Sequence, residues 1–212
     1  MNDHIAKTVA VYDTIADEYN KKIDDYAPRP EREKFIEMVT PHGRILDVGC
    51  GPGRDCEYFV SKIFDVNGID LSEKLLELAK KRAPTAEFQK QDLRELNFPN
   101  ESFDGIWACA SLLHLKREEA PAVLSSFSTL LKSGGVLFVM LKEGKGEADV
   151  QDPLSPNISR HFTYFGIEEL KEMLIKVGFF VVDIYRWNEE VRRPGRRDLV
   201  WISSFSKKNE NY

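Results

Sequence analysis

Seven consecutive residues, Asp47-Val48-Gly49-Cys50-Gly51-Pro52-Gly53, have the types and spacing of a turn that cradles a ligand. Glycines at alternate positions let the backbone reverse sharply and approach a bound group with no side chain in the way. The N–H groups that open a following helix favour a carboxylate or a phosphate. A dinucleotide fingerprint, G-x-G-x-x-G, would need its third glycine at position 54, which is Arg54. Asp47 would also place negative charge beside a pyrophosphate. The loop therefore suits a zwitterion with a cationic group better than a dinucleotide, and taken alone it is equally a tight strand-to-helix turn.

Further carboxylates follow at places of the same kind. Asp70 ends Gly68-Ile69-Asp70-Leu71-Ser72, where an acidic side chain can accept hydrogen bonds from both hydroxyls of a ribose. Its plainer role is that of an acid at a helix N-terminus. Asp92, in Gln91-Asp92-Leu93, is placed for an exocyclic adenine amine, or is an ordinary loop residue. Groups for an amino acid, a ribose and an adenine thus follow one another along the chain, and together they match S-adenosylmethionine.

Such residues need a scaffold. Ile5, Val9, Tyr12, Ala16 and Tyr19 recur at steps of three and four, which predicts an amphipathic helix. Prolines within 24–30 break it, and a short helix follows over 31–39. Residues 44–48 read as a buried strand feeding the glycine loop, with a helix over 54–62 and a strand over 64–69. Ser72 caps a helix carrying Leu75, Leu76 and Ala79. Strands are expected at 86–89 and 103–109, then a helix over 120–131 ended by Ser133-Gly134-Gly135, then a strand at 136–141. Leu170, Met173, Leu174 and Val177 mark a helix with Gly178 just past its end. Residues 179–185 and 199–205 predict an antiparallel hairpin with no room for a helix between them. The alternation predicts an α/β fold: a Rossmann-like, doubly wound open sheet in a three-layer α/β/α sandwich, with ligands at the C-terminal strand ends. Residues 142–165, polar and interrupted by proline, read as a long functional or mobile loop. The polar tail, 207–212, is expected to fray.

Composition narrows the class. The 212 residues suit a single core, and 30 Lys and Arg against 35 Asp and Glu give a net charge of −5, not that of a general polyanion binder. Three cysteines without paired spacing point to a reducing, cytoplasmic setting rather than a disulfide framework. The first twenty residues lack an apolar signal core, and the longest apolar run, 136–141, is far short of a membrane span. His4, His42, His114 and His161 show no ligand spacing with the cysteines, so no metal is expected.

ILDVGCGPGRD, GIDLS, QDL, FDGIWACASLLHL and LLKSGGVLFVML, in that order, resemble the motifs of class I S-adenosylmethionine-dependent methyltransferases over about residues 30–205. The resemblance implies a seven-stranded sheet with the last strand antiparallel, a domain over 29–206 and a cofactor-covering helix within 1–28. It implies that Asp47, Gly49, Cys50, Gly51 and Gly53 hold the methionine part, Asp70 and Leu71 the ribose, and Gln91, Asp92 and Leu93 the adenine. Ala108, Cys109 and Ala110 would line the sulfonium, and Tyr12 and Tyr19 would cover the cofactor, although both also fit plain packing of the helix's apolar face. Cys50 and Cys109 read as small packing residues rather than nucleophiles.

His114, just beyond the fourth strand, is a candidate base, a cap or a contact at the cofactor's edge; Tyr19 is the second catalytic candidate. Lys142, Arg160 and Tyr164 are candidate acceptor contacts. Arg192, Arg193, Arg196 and Arg197 around Pro194-Gly195 form either a solvated turn or a contact for substrate or RNA. The leading reading is a methyltransferase acting on a small polar molecule, with S-adenosylhomocysteine as product. A second is a tRNA or protein methyltransferase, since VYDTIADEYN and SRHFTYFGIEEL loosely resemble wobble-uridine tRNA enzymes. A third is a non-catalytic S-adenosylmethionine-binding module. No Asn/Asp-Pro-Pro-aromatic motif is present.

Overall fold

A computed structural model describes residues 3–152, 155–195 and 199–209. Helix α1 (Asp3–Lys22) opens the chain and a single 3-10 turn, Ile23–Tyr26, leads into α2 (Arg29–Met38), whose proline sits in its first turn where no N–H partner is lost. The chain then alternates: β1 (Arg44–Val48), α3 (Arg54–Ser61), β2 (Asp65–Asp70), α4 (Glu73–Arg82), β3 (Glu87–Lys90) and β4 (Phe103–Cys109). Ser72 caps α4 as expected, its side chain accepting from the Leu75 N–H. Helix α5 (Ala120–Leu130) precedes β5 (Leu131–Lys142), which starts ahead of the two glycines because Leu131 already pairs with Phe103.

A single sheet carries seven strands in the order β3-β2-β1-β4-β5-β9-β8, where β8 is Phe179–Asn188 and β9 is Val200–Lys208. Strand β9 runs antiparallel to both neighbours, and the other pairs are parallel. The order reverses direction between β1 and β4, so their C-terminal ends open a crevice at the switch point. Trp107 and Phe138 stack across β4 and β5 with centroids 3.9 Å apart, and Phe35 and Phe59 meet the Trp107 ring edge-on.

Three expectations need correction. Residues 142–165 are not a structureless loop: β6 (Glu147–Asp152) and β7 (Ser155–Thr163) form a separate antiparallel ribbon. Its alternation is hard to see in the sequence because one buried position, Arg160, carries a charge. A one-turn helix, α7 (Glu189–Arg192), fits between β8 and β9, capped by the Asn188 side chain. Strand β9 also continues through Lys207 and Lys208, which sequence assigned to the tail. Helix α6 (Ile167–Lys176) ends before Gly178, at φ +91°.

Candidate active site

The glycine loop is held from below by β2. Gly49 and Cys50 both donate to the Ile69 carbonyl at 2.9 Å, and Gly51 donates to Asp70 Oδ2 at 2.9 Å. Gly49, Gly51 and Gly53 take φ of +71°, +55° and +80°, the left-handed region where a side chain is strained. A Cβ on Gly49 would also meet Ser111 Cβ at 2.6 Å, and one on Gly53 would meet Ala79 Cα at 2.9 Å. Gly49 thus lets the loop touch the exit of β4, whereas Gly53 lets α3 approach α4.

Above the loop lies a cavity lined by Tyr12, Tyr19, Asp47, Gly49, Cys50, Gly51, Asp70, Leu71, Gln91, Asp92, Leu93, Cys109, Ala110, His114, Lys142 and Arg160. Three expected site residues are placed elsewhere. Ala108 is fully buried under the sheet surface, because strand alternation turns it away while Cys109 faces the crevice. Gly53 serves the helix contact just described. Tyr164 packs against Gly144 and the core edge rather than lining the cavity.

Asp70 divides its oxygens between the Gly51 and Ser72 N–H groups, both at 2.9 Å, and burial raises its pKa despite those bonds. Asp92 is gripped by Arg94, with N–O distances of 2.9 and 2.6 Å; burial works against its charge, but Arg94 holds its pKa below the ordinary value. Asp47 is 2% exposed and accepts from the Cys56 thiol at 3.2 Å; burial, then the charge of Asp55, lifts its carboxyl well above the usual range. A buried carboxyl of this kind suits a cationic partner. Burial also raises the Cys50 thiol to about 11 and raises Cys109 further, so both are protonated and neither is a nucleophile.

Under the loop, sequence reasoning used Arg54 only as a missing glycine. It is instead the centre of a buried network: its Nε donates to Asp55 Oδ1 at 3.0 Å, and Arg32 and the Trp107 indole donate to the same carboxylate at 3.3 and 3.0 Å. Arg54 also reaches the Ile23 carbonyl at 3.2 Å, tying α3 to the chain that follows α1.

At the other end, α1 closes the cavity. The Tyr12 hydroxyl lies 3.1 Å from His114 Nε2 and accepts from Arg160 on β7. His114 Nδ1 lies 2.9 Å from the His161 carbonyl, which can only accept, so the proton is on Nδ1 and Nε2 is the acceptor. Burial, then the charge of Arg160, lowers the His114 pKa to about 3. Burial raises the Tyr19 phenol, which stays protonated. Neither expected catalytic group is therefore poised as a base at neutral pH. Asp13 of α1 takes the Ser72 hydroxyl at 2.5 Å, a second anchor for the helix.

Several lining residues lacked any sequence signal: Thr8, Ser111, Phe162, Trp187, Glu189 and Trp201. Among the described residues, the Thr8 and Ser111 hydroxyls are buried with no hydrogen-bond partner, which is costly unless a polar ligand meets them. Ala110 holds φ +57°, a conformation that costs a non-glycine residue about 1–3 kcal/mol and that brings Ser111 against Gly49. The turn at 192–195 is largely exposed, as expected of a solvated turn, but its first two arginines also have partners within the fold. Arg192 donates to the buried Glu31 at 2.6 Å and Arg193 to the Ala27 carbonyl at 2.6 Å. Arg196 and Arg197 lie outside the described residues.

A sheet of this order, with a glycine loop at its switch point and acids at the next strand ends, defines a Rossmann-like methyltransferase fold. Residues 45–135 match the family model described as a methyltransferase domain. The chain is 33% identical over 176 residues to phosphoethanolamine N-methyltransferase 1 of Arabidopsis thaliana, covering 79% of this chain and 32% of that one. It is 34% identical over 132 residues to trans-aconitate 2-methyltransferase of Rhizobium rhizogenes, covering 59% and 49%. The chain thus spans about a third to a half of the length of these relatives. Among solved structures, Burkholderia thailandensis 1,6-didemethyltoxoflavin-N1-methyltransferase, with that compound and S-adenosylhomocysteine bound, superposes with a TM-score of 0.73 at 23% identity, covering 99% of this chain and 91% of that one. The chain belongs to the class I S-adenosylmethionine-dependent methyltransferase family. No helix among the described residues is long and apolar enough to cross a membrane.

Proposed function

We propose that this protein transfers a methyl group from S-adenosylmethionine to a small polar molecule, releasing S-adenosylhomocysteine, in the cytoplasm. The observation that carries the reading is the cavity at the strand switch point, where the left-handed glycine loop, Asp47, Asp70 and the orphaned Ser111 hydroxyl face one space. In this reading Asp47 and the loop hold the methionine ammonium and carboxylate, Asp70 the ribose, and Gln91, Asp92 and Leu93 the adenine. The two relatives and the neighbouring structure carry names of small acceptors, which supports the same substrate scale.

When bound, the cofactor supplies an electrophilic methyl on a good leaving group. The chain's own task is alignment: holding the acceptor in line in a water-poor site can contribute about 7–11 kcal/mol toward the barrier. Helix α1 and the β6–β7 ribbon exclude water, joined through Tyr12 and Arg160. The net charge of −5 favours a small molecule over an RNA phosphate backbone.

Calorimetric titration with S-adenosylhomocysteine, with NAD in parallel, tests the reading. Micromolar binding of the former alone is expected. Binding of NAD alone, or of neither, removes the assignment.

A further inference from the structure

The inner end of the cavity narrows the acceptor's chemistry, in an inference that rests on the methyltransferase reading. Lys142, closing β5, and Arg160, on β7, are 5% and 3% exposed. Both converge on Phe162: Lys142 Nζ lies 3.5 Å from the ring centroid and Arg160 Cζ 5.2 Å. The His114 ring lies against the same phenyl, with centroids 5.1 Å apart. Trp187 and Trp201, stacked at 6.0 Å, extend this wall of the cavity. Two buried cations beside aromatic faces suit a compact molecule with an apolar body and an anionic group.

Among the described residues at this end, the groups able to accept a proton, His114 and Glu189, are each already hydrogen-bonded. His114 Nε2 is met by the Tyr12 hydroxyl, and Arg160 and Lys142 both disfavour a proton on that ring. Glu189 accepts from the Trp201 indole at 2.9 Å. An ammonium or an alcohol must lose a proton to be methylated; a carboxylate arrives without one.

We propose that the acceptor is a small carboxylate, held by Arg160 and Lys142 and methylated on oxygen to its methyl ester. A lone pair on the carboxylate oxygen forms the new O–CH3 bond while the S–CH3 bond breaks, and that bonding pair stays on sulfur. The carboxylate and sulfonium charges cancel, and no proton moves.

The test uses the full chain loaded with S-adenosylhomocysteine, titrated with aromatic and aliphatic mono- and dicarboxylates, each beside its amide. At least one carboxylate is expected to bind where its amide does not. Arg160→Gln and Lys142→Gln should each weaken that binding by roughly ten- to a hundred-fold. Arg160→Lys should restore part of it, and an unchanged circular dichroism spectrum reports that each variant is folded. With methyl-labelled cofactor and the bound carboxylate, the product label should leave as methanol in mild alkali. An alkali-stable label, preference for amines or phosphorylated amines, binding indifferent to the substitutions, or no carboxylate bound by a chain that binds S-adenosylhomocysteine overturns the proposal and leaves methyl transfer standing. Failure to bind S-adenosylhomocysteine refutes the methyltransferase reading itself.

Discussion

The hydroxyl of Tyr12 sits 3.1 Å from Nε2 of His114, across 102 residues of chain, and this contact joins the N-terminal helix to the exit of β4. Replacing Tyr12 with Phe removes the donor and leaves a buried imidazole nitrogen unpaired. Urea unfolding of Tyr12→Phe should show a loss of about 1–3 kcal/mol. An unchanged midpoint would mean that the contact contributes nothing to holding α1.

The same histidine gives stability a defined dependence on pH. Its folded pKa, about 3, lies below the ordinary value of 6.5, so between these limits the unfolded chain binds the extra proton. The contribution of neutral His114 is fully present above about pH 6.5 and is lost as pH falls toward 3. Thermal melts from pH 7 to 4 should therefore fall more steeply for the wild type than for His114→Asn. Parallel slopes would show that His114 titrates normally.

Asp70 carries two roles at once, bracing Gly51 and Ser72 while facing the cavity. Asp70→Ala should weaken S-adenosylhomocysteine binding by about 1.5–3 kcal/mol, the scale for charge-assisted hydrogen bonds. Calorimetry that finds equal affinity would remove Asp70 from the binding site.

Asp47 should show the opposite signs for stability and binding. Burial and Asp55 make its ionised form unfavourable in the folded chain, so Asp47→Asn should raise the melting temperature of the ligand-free protein near pH 7. The same change should lower S-adenosylhomocysteine affinity by tenfold or more, on the order of 1.4 kcal/mol. A variant that is both less stable and equally avid would contradict the electrostatic account.

Gly53→Ala tests a glycine whose work is packing. Its φ of +80° and the 2.9 Å approach to Ala79 Cα leave no room for a methyl group. A loss of about 1–3 kcal/mol in unfolding free energy, read from a lowered denaturant midpoint, is expected. Unchanged stability would show that α3 and α4 can part freely.

The sequence by itself determined the sheet, its alternation with helices and the glycine loop, because these depend on local patterns: apolar periodicity, a capping serine and glycines at alternate positions. Asp47, Asp70 and Asp92 were legible for the same reason, each lying at the end of a readable strand. What lines the end of the cavity under α1 was decided only in three dimensions. Arg160 read as one cation in a polar loop until ribbon pairing buried it against Phe162 and Tyr12. The Thr8 and Ser111 hydroxyls, the Trp187–Trp201 stack and the Arg54–Asp55–Arg32 network join residues far apart in the chain, so no spacing announces them. Even the state of His114 belongs to the tertiary structure. An imidazole becomes a weak base only when burial and two cations from distant strands make its charge unfavourable.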